Sequence, residues 1–217
     1  MNRGARELNE RNRKKISVII PAYNLGEYLK KSLDSVLNQT FSSMDFEIII
    51  ANDCSTDDTL EIIQDYASRF ENVLYFDCPV NGGPGISRNH ALDMACGDFI
   101  FFLDGDDTLA QNALEKAWNA ATSHKADVVS YDYNMVEKVG GPSYASRKDF
   151  EQITNDKELL LSRFLSAEMD GSVIFSFIKR SLISENNISF PAGLHEDIPF
   201  IFEVYFFARN IFKLEEI

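Results

Sequence analysis

Residues 98–107 read DFIFFLDGDD. The apolar run DFIFFL is far too short to cross a membrane, and its aromatic and branched residues suit a strand buried on both faces. Three carboxylates, Asp104, Asp106 and Asp107, then follow at the strand's carboxyl end. Like charges gathered there are costly unless a cation offsets them. Hard oxygen ligands at a strand end suit Mg²⁺ or Mn²⁺. The same aspartates would equally serve as a solvated turn that caps the helix after Thr108. Taken alone, the stretch does not separate the two readings.

Upstream, ISVII at 16–20 ends at Pro21, FEIIIA spans 46–51 and VLYFD spans 73–77, each with the composition of a strand. Between them, residues 25–39 place Leu25, Tyr28, Leu29, Leu33, Val36 and Leu37 on one helical face. Ser55 opens S-T-D-D and is expected to cap a helix running to about Arg69. Gly82-Gly83-Pro84 opens a further helix carrying Ile86, Ala91, Leu92 and Ala95, with Gly97 placed to stop it. Downstream, a helix with Leu114, Ala117, Trp118 and Ala121 leads into DVVSYD at 127–132. Strand and helix alternate throughout, which predicts an α/β fold with a mainly parallel sheet and helices on both faces. Ligands of such sheets bind beyond the carboxyl ends of the strands. Tyr23, Asn24, Asp53, Asn81, Asp104 and Asp106 all fall there.

After about residue 135 the rhythm breaks. Gly140-Gly141-Pro142 reads as a turn, 155–167 and 196–209 as helices, and 173–178 as a strand. The expected organisation is a polar tail over 1–15, an α/β half over 16–135, and a segment of the same domain over 136–217 that is cut short at its C-terminus.

The 217 residues carry 21 Lys and Arg against 34 Asp and Glu, a net charge of −13. This excess of acid argues against nucleic-acid binding, which depends on cations that neutralise phosphates. One anionic ligand held through a metal or a few local cations remains compatible with it. Cys54, Cys78 and Cys96 are odd in number and lack C-x-x-C spacing, so they read as reduced thiols rather than a disulfide framework or zinc site. Met1 to Lys15 lacks the apolar centre of a signal peptide, and no stretch is long enough for a membrane span.

Four motifs occur in order: P-A-Y-N at 21–24, N-D-x-S-T-D at 52–57, N-G-G-x-x-x-S-R-N at 81–89, and D-G-D at 104–106. Together they resemble the inverting family 2 glycosyltransferases, over about Ile16 to Asp132. The resemblance implies a GT-A-like (Rossmann-like) mixed sheet that binds a UDP-sugar donor. It implies that Pro21, Ala22 and Tyr23 line the nucleoside pocket, that Asp53 accepts from the uracil ring NH, and that Arg88 lies close to the donor. Asp104 would approach the ribose or the metal, and Asp106 would ligate the Mn²⁺ or Mg²⁺ that bridges the diphosphate. Singly, Tyr23 would pass as core packing, Asp53 as a helix-start aspartate and Arg88 as a surface cation. Two departures stand out: Cys54 occupies a position where the family commonly has glycine, and S-R-N-H-A replaces the usual A-R-N-x-G.

Inverting transfer needs a base for the acceptor hydroxyl. In family members an acidic pair well downstream opens a helix, and here His195-Glu196-Asp197 stands in that place. Asp197 is assigned as the base and Glu196 is the second choice; the alternative is an acidic first turn that complements the helix dipole. His195 would contact the diphosphate or simply pack, while His90 and His124 read as structural. The resemblance further implies a saccharide or lipid-linked saccharide acceptor, bacterial surface polysaccharide or glycoconjugate synthesis, and a cytoplasmic setting, with peripheral contact at the inner face of the membrane. Two other readings compete. One is a module that binds nucleotide sugar without turning it over. The other takes D-x-D-x-T at 104–108 as the nucleophile loop of a haloacid-dehalogenase-like phosphohydrolase using Asp104 and Asp106. Against the latter, three strand–helix units precede the loop and no downstream G-D-x-x-x-D appears. No G-x-G-x-x-G or P-loop motif is present.

Overall fold

β-branched and aromatic runs form the strands at the expected places. β1 (Ile16–Ala22) lies parallel to β2 (Phe46–Asn52), which lies parallel to β3 (Val73–Asp77). On the other side of β1 lies β4 (Phe99–Phe102), also parallel, with Ile16 opposite Phe99. The computed structural model describes residues 14–131, 134–136, 143–145, 157–166 and 171–214. The connections are α1 (Glu27–Leu37), α2 (Thr59–Arg69), α3 (Pro84–Met94) and α4 (Ala113–Ser123), the last leading to β5 (Val128–Tyr131). A short hairpin of β6 (Asn134–Val136) and β7 (Ser143–Ala145) and helix α5 (Lys157–Leu165) come next. They are followed by β8 (Ser176–Lys179), α6 (Arg180–Glu185), α7 (Asp197–Phe207) and β9 (Ile211–Leu214).

The seven-stranded sheet runs β3-β2-β1-β4-β8-β5-β9. β8 is antiparallel to both β4 and β5, and β9 is parallel to β5, so the sheet is mixed. Alternate residues of each strand feed opposite cores. Val18, Ile20, Ile48, Ile50 and Phe101 pack against α1, α2 and α4 through Leu33, Ile63 and Leu114. Ile19, Ile49, Ile100 and Phe102 pack against α3, α6 and α7 through Ala91, Ile183, Phe200 and Val204. Burial on both faces is why these strands read as unbroken apolar runs. Chain order reverses at β1, which sends β2 to one side and β4 to the other. A crevice opens at such a switch point, beyond the carboxyl ends of the two strands.

Several expectations need adjustment. The helix expected from Ser55 begins at Thr59. Ser55 Oγ instead donates to Asn52 Oδ1 at 2.6 Å and accepts from the Asn24 N–H at 3.1 Å, so it crosslinks two loops rather than capping. Helix α3 ends at Met94, before Gly97; the Gly97 N–H reaches across to Ser17 Oγ at 2.9 Å. The strand expected over 173–178 is split into a 3₁₀ turn (Val173–Phe175) and β8. The Gly140-Gly141-Pro142 turn and residues 1–13 of the polar tail lie outside the described residues.

Candidate active site

Loops after β1, β2, β3 and β4 converge on a cleft of about 350 Å³ lined by Pro21, Ala22, Tyr23, Asp53, Arg88 and Asp106, among others. Asp104 also lines it, so every donor-side residue expected from sequence faces one cavity. Asp197 does not line it.

The loops are tied to one another by side chains. Asn24 sits in the left-handed region at φ 52°, and its Oδ1 accepts from the Thr56 N–H at 2.8 Å. Thr59 Oγ1 accepts from the Leu25 and Gly26 N–H groups at 2.8 and 3.1 Å. Cys54 takes a left-handed conformation that glycine adopts readily, at φ 62°. Asp53 is 3% exposed. Its two carboxylate oxygens accept from the N–H groups of Gly82 and Gly83, each at 2.8 Å. The aspartate therefore organises the start of α3 while facing the cleft.

Gly105, between the two aspartates of D-G-D, has its Cα against β1. A Cβ there would meet Leu25 Cδ1 and stand 3.3 Å from the Pro21 carbonyl. The missing side chain leaves room for Leu25 and for the close approach of the Pro21 carbonyl. Burial pushes the Asp104 carboxyl above its ordinary range, with Arg88 pulling the other way and Asp197 and Asp106 adding to the rise. Burial and the charges of Asp106 and Asp104 push Asp107 up as well.

Arg88 is the hub. It is 3% exposed, and its Nη2 donates to Asp104 Oδ1 at 2.8 Å. Its Nη1 donates to Glu196 Oε1 at 3.1 Å and to Asp197 Oδ1 at 2.9 Å. Its Nε is buried without a hydrogen-bond partner. The other Asp197 oxygen accepts from Ser172 Oγ at 3.2 Å and the Val173 N–H at 3.3 Å. The acidic pair at the start of α7 is thus joined to D-G-D through one guanidinium. Glu196 lies against α3, where a Cβ on Gly85 would stand 2.6 Å from its Cγ. His195 is exposed at φ 59°, so it does not pack into the protein.

Among the described residues no group of three or more His, Cys, Asp or Glu side chains is placed to hold a metal ion by itself. The donors nonetheless fit Mg²⁺ or Mn²⁺ of the kind that uses one or two carboxylates and takes its other ligands from phosphate and water. Asp106 is exposed in the cleft, and Asp104 offers its second oxygen.

Sequence reasoning passed over Asn89, Gly85 and Asn52. Asn52 Nδ2 donates to Asp77 Oδ1 at 2.7 Å, bracing the ends of β2 and β3. Asn89 and Asn52 both stand inside the quoted motifs, and that position was their only signal.

The model for glycosyl transferase family 2 matches residues 17–185. A poly(ribitol-phosphate) beta-glucosyltransferase of Bacillus spizizenii is 33% identical over 205 residues, which cover 91% of this chain and 30% of that one. The poly(ribitol-phosphate) beta-N-acetylglucosaminyltransferase TarS of Staphylococcus aureus is 33% identical, covering 93% of this chain and 34% of its own. This chain thus spans about a third of the length of these two relatives. A GalNAc(5)-diNAcBac-PP-undecaprenol beta-1,3-glucosyltransferase of Campylobacter jejuni is 34% identical over 178 residues, covering 81% of this chain and 55% of that one. The crystal structure of S. aureus TarS 1-349 in complex with UDP-GlcNAc superposes with a TM-score of 0.77 at 29% identity, covering 92% of this chain and 56% of that one. With the sheet order above, this likeness establishes the GT-A fold.

Proposed function

The chain belongs to glycosyl transferase family 2, and from that premise we propose that it moves one sugar from a UDP-sugar to an acceptor hydroxyl with inversion. The observation that carries this reading is the convergence of Asp53, Arg88, Asp104 and Asp106 on one cleft beyond the strand ends. The relatives' names, two poly(ribitol-phosphate) transferases and one acting on an undecaprenol-linked saccharide, support a saccharide or lipid-linked acceptor in bacterial surface polymer or glycoconjugate synthesis. No described helix is long and apolar enough to cross a membrane. Work at the cytoplasmic side, with peripheral contact at the inner face, fits such acceptors.

In this reading Pro21, Ala22 and Tyr23 form the wall for the nucleoside, and Asp53, held by two backbone amides, offers a fixed acceptor to the base. Asp104 and Asp106 would hold Mg²⁺ or Mn²⁺, which as a Lewis acid would offset charge on the departing diphosphate. Asp197 takes the proton of the acceptor hydroxyl as its oxygen bonds to the anomeric carbon and the bond to UDP breaks. Arg88 keeps Asp197 and Asp104 in one charge network, so the proton acceptor and the diphosphate end of the cleft are held in register. The phosphohydrolase reading does not suit this frame: the aspartate loop follows β4, the fourth strand of the chain, within residues 17–185 matched by the family 2 model.

The test is calorimetric titration with UDP, GDP and CDP, each with Mn²⁺ and with chelator. Selective UDP binding that weakens about tenfold or more with chelator is expected, as is loss of the metal effect in Asp106→Asn. Metal-dependent affinity unchanged in that variant would sink the ligand assignment. Tight UDP binding without donor turnover would favour the non-catalytic module.

A further inference from the structure

Asn89 follows Arg88 on α3 and is not among the residues lining the cleft. Its side chain holds both backbone groups of one distant residue. Nδ2 donates to the Phe190 carbonyl at 2.8 Å, and Oδ1 accepts from the Phe190 N–H at 2.9 Å. The Phe190 ring is stacked on Phe200 of α7, with centroids 3.8 Å apart and planes 4° apart. It meets Phe102 of β4 edge-on at 5.5 Å, and the Arg88 guanidinium stands 5.5 Å from its centroid. Phe190 therefore touches the strand that delivers D-G-D, the helix that bears Asp197, and the cation that joins them.

The chain between Phe190 and Glu196 has little else to hold it. Residues 191–195 are all exposed, and Gly193 and His195 both take positive φ, at 121° and 59°. The segment is anchored at its two ends: at Phe190 by Asn89, and at Glu196 and Asp197 by Arg88, with Ser172 and the Val173 N–H also holding Asp197. Two adjacent residues of one helix thus grip the two ends of one loop. Without the first grip, the backbone at Phe190 is left to ring packing, and the loop runs on to Arg88 through an exposed stretch whose His195 carbonyl accepts from the Ile198 N–H at 3.2 Å.

We propose that Asn89 is a positioning residue: by clamping Phe190 it sets where Glu196 and Asp197 meet Arg88. The effect of Asn89 on turnover rests on the transferase reading.

The experiment is a double-mutant cycle on the full chain, read as the unfolding equilibrium constant in urea, for Asn89→Ala, Asp197→Asn and the pair. Asn89→Asp keeps the acceptor for the Phe190 N–H, loses the donor to its carbonyl, and replaces Asn89→Ala if the latter does not fold. The expected result is coupling: Asn89→Ala shifts the unfolding constant at least about fivefold less in the Asp197→Asn background than in the parent. Equal shifts in the two backgrounds would overturn the proposal and leave Asn89 as a local brace. The same proteins are assayed for UDP release from UDP-GlcNAc and UDP-glucose. Asn89→Ala is expected to lower kcat about tenfold with the donor KM unchanged. A raised KM at unchanged kcat would place Asn89 on the donor and also overturn the proposal. A parent chain that turns over neither donor counts against the transferase reading, and the cycle then decides the positioning role alone.

Discussion

Arg88 Nη1 stands 2.9 Å from Asp197 Oδ1, across 109 positions of sequence. The same guanidinium bonds Asp104 and Glu196, so one buried cation faces three carboxylates. Such a cluster contributes little net stability when complete, because desolvation offsets attraction, but removing one partner leaves buried charge uncompensated. Arg88→Met keeps much of the stem's volume and strips that compensation. It is expected to lower stability by about 3 kcal/mol, read from urea unfolding at pH 7. Arg88→Lys restores charge without the planar fork and is expected to recover part of the loss. A loss below about 1 kcal/mol in Arg88→Met would show that water already compensates the three carboxylates.

Asp197→Asn separates binding from chemistry. The side chain lies outside the cleft lining and is joined to it through Arg88. UDP affinity is therefore expected to stay within about threefold of the parent, while transfer to a saccharide acceptor falls by about 10²–10⁴. Near-normal transfer in this variant would remove Asp197 from the role of base, and Glu196→Gln would be the next variant to assay.

The parallel half of the sheet was readable because β1, β2 and β4 are buried on both faces and so advertise themselves as apolar runs. The cleft residues were readable because topology places strand ends together, whatever the loops between them do. What stayed hidden was pairwise. Nothing in the order of residues says that Arg88 reaches both Asp104 and Asp197, since the second contact needs α7 to return beside α3. The Ser55 hydroxyl has competing uses: its bond to Asn52, three residues back, and the bond it accepts from the Asn24 N–H of the β1 loop prevail over a helix cap. The short β8 was blurred because a 3₁₀ turn with the same apolar composition runs straight into it.

Cys54 gives a stability prediction. It holds φ 62° next to Asp53, a conformation that costs an L side chain about 1–2 kcal/mol. Glycine removes that cost and adds about 0.5–1 kcal/mol of backbone entropy on folding. Cys54→Gly is expected to raise stability by about 0.5–1 kcal/mol with UDP affinity unchanged, measured by urea unfolding and calorimetry. A destabilised variant would mean that the thiol's packing outweighs the strain it imposes.

Tyr66 and Asp34 make the alkaline limb of stability predictable. Tyr66 of α2 donates its hydroxyl to Asp34 Oδ1 of α1 at 2.7 Å. Burial first, then this hydrogen bond and the Asp34 charge, push the phenol up to about 12. In the unfolded chain the phenol titrates near 10. Between those values the unfolded chain loses the proton while the folded one keeps it, so stability falls as pH rises through that window. The contribution is fully present below about pH 10 and is lost as pH passes about 12. Tyr66→Phe is expected to be less stable by about 1 kcal/mol at pH 8 and to lose less stability than the parent between about pH 10 and 12. The urea midpoints of the two proteins should therefore converge as the pH rises. Parallel curves across that range would mean that Tyr66 ionises in the folded protein as it does in the unfolded chain, and that the bond to Asp34 does not hold the proton.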